Sequence, residues 1–289
     1  MKKLLIFLTL FLATAGSAIA TPHKHHSVKK KPTHKHLVSK RISNKKRTYS
    51  AINTNTNVLL MNITDNQILE NTLPENRGSI ASISKLMTVY TVLASNQDMN
   101  EVLTVTSTLS NHTRLSKGMR LSRKDLIMLS LVHSDNLAAK TLADNHKEGY
   151  NSFIGDMNKN ARELLMNDTT FYDPTGLHAG NISSTKDIIF LTNAVSQFNI
   201  VRQAAQSDDL LIYATKGKKT LKIVARPTIN FFGKEGVITI KTGFTNAAGF
   251  CITMLVNKEN KLYNLVILGA RSSKERKRII ERTLQTIKT

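Results

Sequence analysis

The chain has 289 residues, with 41 Lys and Arg against 20 Asp and Glu, a formal charge of +21, one cysteine and no tryptophan. That length can bury one large core or two interleaved lobes, and a single cysteine excludes a disulfide scaffold. Nucleic acid is excluded as the partner of the charge, because no basic-aromatic motif accompanies it and the N-terminus directs the chain to export.

Met1–Ala20 reads as a signal peptide. Lys2 and Lys3 precede an apolar run from Leu4 to Leu12, and Ala18 and Ala20 give a small-x-small cleavage pattern. The run is too short to span a bilayer, so the mature protein is expected to be soluble in the periplasm. Residues 21–47 hold ten Lys or Arg, five of the nine His and no acid. Like charges repel, and nothing there offsets the entropy of ordering, so this His/Lys-rich tail is predicted to be disordered. It reads either as an electrostatic tether to an anionic wall or membrane surface, or as a solvated linker.

The remaining residues, 48–289, are expected to form one catalytic-type domain. NVLLMNI and the run after Thr64-Asp65-Asn66-Gln67 predict two strands about a turn. Ile83, Leu86, Met87 and Tyr90 recur at helical spacing, which predicts a helix from Ser82 to about Ala94. Residues 101–121 alternate weakly and predict short strands and loops. A helical lobe is expected over about 95–200. Ser122 with Asp125 makes a capping box before LIMLSLV, a break falls at His133-Ser134-Asp135-Asn136, and LAAKTLADNH and NSFIGDMNKNARELLM are helical again. FYDPTGLHAGN is a loop, and STKDIIFLTNAVSQF a further helix capped by Ser184 or Thr185. From Leu221, four strands joined by short turns are predicted, then a basic closing helix with Ile280, Leu284 and Ile287 on one stripe. That stripe reads as packing on the sheet, with a membrane-surface helix as the alternative. Hairpin links argue for an antiparallel sheet. The fold class is α/β of the α+β type, an antiparallel sheet flanked by helices plus the helical lobe. Cys251, in an apolar run, reads as a buried structural thiol.

Ser82 lies three residues before Lys85, so one helix face can present both. A serine hydroxyl needs a base, and a lysine desolvated in a cleft can serve as one. Ser79 and Ser84 have no lysine three residues on. Taken singly, Ser82 and Lys85 could be a capping serine and a surface lysine. Ser134-Asp135-Asn136 could be a helix cap, and Lys241-Thr242-Gly243 a strand end with a turn glycine. The conjunction S-x-x-K, S-D-N, K-T-G, in this order and on these elements, is the motif set of serine acyl-transferases.

On ASISKLMT, HSDN, FYDPTGL and KTGFTNAAGF, the sequence over about residues 50–285 resembles the penicillin-binding protein and β-lactamase superfamily. Within it, the chain is similar to the low-molecular-mass penicillin-binding proteins of the D-alanyl-D-alanine peptidase family. The resemblance implies that Ser82 is acylated by a D-Ala carbonyl with Lys85 as base. It implies that Ser134 relays a proton to the leaving amine and Asn136 orients substrate and Lys85. Lys241 and Thr242 would bind the substrate carboxylate, Gly243 would allow close approach, and the backbone N–H groups of Ser82 and Phe244 would form the oxyanion hole. It implies no metal or cofactor, peptidoglycan peptides as substrate and β-lactam antibiotics as covalent inhibitors. RKDLIMLSLVHSDNLAAK and FYDPTGLHAGNIS, with the short stretch after Gly243, resemble the compact endopeptidase branch, which cuts the D-alanyl link to the neighbouring diamino acid. A carboxypeptidase is the alternative. A class A β-lactamase would need a glutamate in a later loop; Glu148 to Asn151 reads instead as a helix junction. A wall-binding module without turnover, or a scaffold for the basic tail, are the non-enzymatic alternatives.

Overall fold

A computed structural model describes residues 56–73 and 76–287. The predicted signal peptide and the basic segment 21–47 lie outside the described residues.

β1 (Asn57–Asn62) and β2 (Gln67–Asn71) form the first hairpin. β3 (Arg77–Ser79) runs into a 3-10 turn, Ala81–Ile83, and then α1 (Ser84–Ala94). The predicted helix thus begins two residues later than its spacing suggests, and Ser82 sits in the tighter turn. β4 (Val102–Thr104), β5 (Arg120–Ser122), α2 (Arg123–Val132), α3 (Asn136–Asp144) and α4 (Tyr150–Glu163) follow. Ser122 caps α2 by accepting from the Asp125 N–H at 3.1 Å. After a long loop come β6 (Ile182–Ser184), α5 (Thr185–Val195) capped by Ser184, and α6 (Asn199–Ala205). β7 (Leu210–Lys216), β8 (Lys219–Ala225), β9 (Val237–Thr245), β10 (Gly249–Lys258), β11 (Lys261–Ala270) and α7 (Ser273–Thr286) complete the chain.

The main sheet is antiparallel throughout, in the order β2-β1-β11-β10-β9. Consecutive residues 251–256 of β10 and 264–268 of β11 are buried. Successive strand residues point to opposite faces, so unbroken burial means both faces are covered. α5 and α7 supply contacts to these strands. Ile280 is fully buried, and Leu284 and Ile287 pack against the core, as the stripe on the closing helix predicts. Cys251 is buried and its thiol is pushed up to about 11, chiefly by burial. No helix among the described residues is long and apolar enough to cross a membrane.

The predicted run of four strands needs correction. β8 does not join the main sheet; it pairs with β7, in a second sheet of order β4-β5-β7-β8. The stretch between β8 and β9 is irregular rather than a short turn. Pro227, which offers no N–H to a ladder, stands near its start. The sequence reading did not include β7, α6 or the small β3–β6 pair.

α1 is the pivot of the molecule. Eight of its residues, among them Leu86, Met87, Val89 and Val92, are buried, and it contacts α2, α3, α4 and α5. A helix buried on nearly every side must lie inside the fold. At about 1.5–3 kcal/mol for each large apolar side chain, this packing anchors α1 among the helices, while the 3-10 turn before it lies against β9 and β10.

Candidate active site

Ser82 and Lys85 straddle the junction of the 3-10 turn and α1. With three residues per 3-10 turn, positions i and i+3 nearly eclipse, and Lys85 Nζ lies 2.7 Å from Ser82 Oγ. Ser82 is half-buried, whereas Lys85 is fully buried. Nζ also donates to Asn136 Oδ1 at 2.8 Å and to the Thr175 carbonyl at 2.6 Å. Burial drives the Lys85 ammonium down to about 7, against the upward pull of the Asp173 and Asp135 carboxylates. A neutral amine has two N–H bonds and one lone pair. Thr175 O and Asn136 Oδ1 can only accept, so they take the two hydrogens. The lone pair is left for the Ser82 hydroxyl, which would donate to it.

The Ser134-Asp135-Asn136 break splits its duties. Asp135 is the cap of α3: Oδ1 accepts from the Ala138 N–H at 2.9 Å and from Thr113 at 2.8 Å, and Oδ2 from the Arg114 N–H at 2.6 Å. The cap reading of this motif is therefore right for Asp135. Its neighbours point elsewhere. Asn136 Nδ2 donates to Asn111 O at 2.9 Å, which orients Oδ1 toward Lys85. Ser134 has φ +60, a left-handed conformation that costs a non-glycine residue of order 1 kcal/mol. There its Oγ accepts from Lys241 Nζ at 2.8 Å.

β9 is the edge strand of the main sheet and passes the 3-10 turn. Lys241 is fully buried and also donates to the Thr242 carbonyl at 2.8 Å. Burial, and then the nearby positive charges of Lys85 and Arg276, hold its ammonium well below the usual lysine value. Thr242 Oγ1 lies 2.6 Å from Thr228 Oγ1. A Cβ on Gly243 would come within 2.9 Å of Ile80 O and 3.0 Å of Ser82 N, so only glycine lets the strand lie this close. Phe244 follows with its side chain exposed, its ring 4.2 Å from that of Phe250.

The loop FYDPTGLHAGN closes the other side, and the sequence reading assigned none of its residues to the site. Asp173 Oδ1 accepts from the N–H groups of Thr175 at 2.8 Å and Gly176 at 2.6 Å, and Oδ2 from that of His178 at 2.7 Å. Asn181 donates to Ser84 Oγ and the Asp173 carbonyl, both at 2.9 Å. Gly176, at φ +81, packs so tightly that a Cβ would sit 1.9 Å from Ala81 O. Ala81 itself has φ +46. The backbone that presents Ser82 is thus pinched between Gly176 and Gly243. Asp-Pro-Thr-Gly is a turn signature in which a side-chain acceptor collects following N–H groups; that signal marks a rigid turn but not the target of the Thr175 carbonyl.

Ser82, Lys85, Asn136 and Thr175 form one hydrogen-bonded group, and Lys241 with Ser134 another, joined through the backbone of the α2–α3 break. Glu148 to Asn151 lies at the α3–α4 junction, with Gly149 preceding α4.

The profile of the peptidase S11 family, D-alanyl-D-alanine carboxypeptidase, matches residues 43–272. A D-alanyl-D-alanine endopeptidase of Escherichia coli is 33% identical over 219 residues, covering 73% of this chain and 70% of that protein. The crystal structure of a Streptomyces DD-transpeptidase superimposes with TM-score 0.74 at 21% identity, over 79% of this chain and 95% of that one. A Listeria monocytogenes penicillin-binding protein, solved in its ampicillin-bound form, gives TM-score 0.70 at 26% identity, over 80% and 96%. The chain belongs to the peptidase S11 family of serine D-alanyl-D-alanine peptidases.

Proposed function

We propose that the chain is an exported serine D-alanyl-D-alanine endopeptidase that opens peptidoglycan cross-links through an acyl-enzyme on Ser82. The observation that carries this reading is the fully buried Lys85 amine, 2.7 Å from Ser82 Oγ and lowered to about 7. Near neutral pH about half of such lysines are unprotonated, against roughly one in three thousand at the ordinary value.

In the proposed reaction the neutral Lys85 amine takes the proton of Ser82 as Oγ attacks the D-Ala carbonyl carbon. The oxyanion forms against the backbone N–H groups of Ser82 and Phe244. On collapse, the C–N bond to the neighbouring diamino acid breaks. The departing amine receives the proton through Ser134, which is hydrogen-bonded to Lys241. Water then attacks the ester with Lys85 again as base, freeing the acid and restoring the serine. Asn136 holds Lys85 and substrate in place. Lys241 and Thr242 would receive a substrate carboxylate, and Gly243 gives the substrate backbone room beside Ser82. β-Lactams would acylate the same hydroxyl and act as covalent inhibitors. Export rests on the leader read at Met1–Ala20, and attachment to an anionic wall or membrane surface on the basic residues 21–47.

The endopeptidase reading is supported by the relative of that name and by the similarity around the Ser134 motif. The test supplies a cross-linked muropeptide dimer and a monomeric pentapeptide in parallel, followed by mass spectrometry. Dimer converted to monomers supports the proposal. Loss of one terminal alanine from the pentapeptide alone would make the chain a carboxypeptidase instead. A Ser82→Ala control should lose both turnover and covalent labelling by penicillin.

A further inference from the structure

The second sheet, β4-β5-β7-β8, buries one face and leaves the other open. Side chains alternate along β7 and β8. Ile212, Ala214, Ile223 and Ala225 are buried, and α2 packs against β5 and β7. The opposite face carries Leu211, Tyr213 and Val224, between 43% and 60% exposed. Leu211 stands directly across from Val224, and Tyr213 across from Lys222, so these side chains are neighbours on one surface. Arg120 of β5 shares the face, opposite Thr215. A sheet face turned to water is ordinarily polar, and a contiguous apolar cluster there points to a partner.

Positive charge surrounds the cluster. Leu210–Arg226 holds Lys216, Lys218, Lys219, Lys222 and Arg226 and no Asp or Glu. All five are exposed. Among the described residues only Arg226 of these has an acidic partner, Asp209 at 3.5 Å. Lys216 reaches the Ser116 hydroxyl, at 3.1 Å. This charge tells against two occupants. A second copy of the chain would bring cations against cations, and lysines along an edge strand such as β8 hinder strand pairing. The basic residues 21–47 would be repelled in the same way. An apolar centre that includes tyrosine, ringed by long-stemmed cations, suits a lipid interface. The apolar groups enter the acyl boundary, tyrosine sits at headgroup level, and the lysines stay with the phosphates.

We propose that this face of the β7–β8 hairpin docks the folded domain on a bilayer of anionic phospholipid, with Leu211, Tyr213 and Val224 entering the lipid and the hairpin lysines on the headgroup phosphates. The contact is separate from the basic N-terminal segment and independent of the reaction assigned above. It also places the chemistry. The Arg226 carbonyl lies 3.1 Å from His133 Nδ1, and Thr228 Oγ1 2.6 Å from Thr242 Oγ1, so docking holds the candidate site close to the lipid surface.

The chain has no tryptophan, so Tyr213→Trp supplies a single fluorescent reporter on this face. The mature protein is titrated with vesicles of phosphatidylcholine alone and of phosphatidylcholine with phosphatidylglycerol. With the anionic vesicles the indole emission should shift to the blue and be quenched by brominated acyl chains; with the neutral ones it should do neither. In cosedimentation, Lys218→Gln, Lys219→Gln and Lys222→Gln together should weaken binding about a hundredfold, at roughly a factor of five for each cation near the surface. Leu211→Ser with Val224→Ser should weaken it by about tenfold or more at unchanged charge. Thermal melting verifies that each variant is folded. Vesicle binding that leaves the indole emission unmoved puts the attachment elsewhere, in residues 21–47 or on another surface, and overturns the proposal. Binding to isolated peptidoglycan sacculi with none to vesicles overturns it in favour of a wall-polymer surface. Unchanged affinity in the substituted proteins, or no binding at all, overturns it too.

Discussion

Replacing Lys85 by methionine removes the ionisable group but keeps an unbranched chain in the same space, and it isolates the charge state on which the mechanism depends. In the unfolded chain a lysine titrates at its ordinary 10.5, while in the folded protein Lys85 titrates at about 7. The folded state therefore binds fewer protons than the unfolded state between these values, so stability rises with pH across that window. The penalty for burying Lys85 is fully present below about pH 7 and gone above about 10.5. By linkage it amounts to about 4 kcal/mol at pH 7 and about 2 kcal/mol at pH 9. The wild type should thus gain about 2 kcal/mol relative to Lys85→Met over those two pH units. Taking the difference between the proteins cancels groups that titrate alike in both. Lys241 does not cancel completely, because the positive charge of Lys85 helps to lower it. Removing that charge raises Lys241 in the variant, which adds to the expected gain. The assay is urea denaturation of both proteins at pH 7 and pH 9. A relative gain below about 0.5 kcal/mol, or one of opposite sign, would mean that Lys85 stays a cation in the fold. A permanent cation cannot take the proton of Ser82, and the mechanism would fall.

Gly176→Ala places a Cβ 1.9 Å from Ala81 O at a positive φ; it should cost roughly 3 kcal/mol or more and slow penicillin acylation at least tenfold, measured by melting and labelling. Asp173→Asn sets an NH₂ group among N–H donors and removes the negative charge that raises Lys85. Stability should fall by about 1–3 kcal/mol, and the acid limb of the kcat/KM profile should move below pH 7; a limb that moves upward contradicts the assigned electrostatics. Cys251, buried and raised to about 11, should react with a thiol reagent only as fast as the protein unfolds; rapid labelling of native protein would show that strand to be open.

Features that depend on neighbours in sequence were legible before any coordinates. Ser82 meets Lys85 because three residues make one turn, Ser122 caps α2 because the capping box is local, and β10 and β11 are joined by a short turn. Long-range pairing was less accessible. The β7–β8 hairpin needs β5 as a partner far away in sequence, and no pattern within Leu210–Lys216 names that partner. The family motifs singled out Ser134, Asn136 and Lys241, yet not that Ser134 accepts from Lys241 with its backbone in a left-handed conformation.

The helix after Ser82, the capping boxes, the β10–β11 hairpin and the one-turn spacing of Ser82 and Lys85 were determined by the sequence alone, because each is written in short-range spacing and side-chain type. The tertiary structure decided the charge state that the proposed chemistry needs. Lysine is a cation in water, and only enclosure by helices and sheet brings Lys85 to about 7. The second acceptor that aims its lone pair, the Thr175 carbonyl, is a backbone atom present in every residue. No side chain advertises it, so its placement appears only when the fold brings the loop against α1.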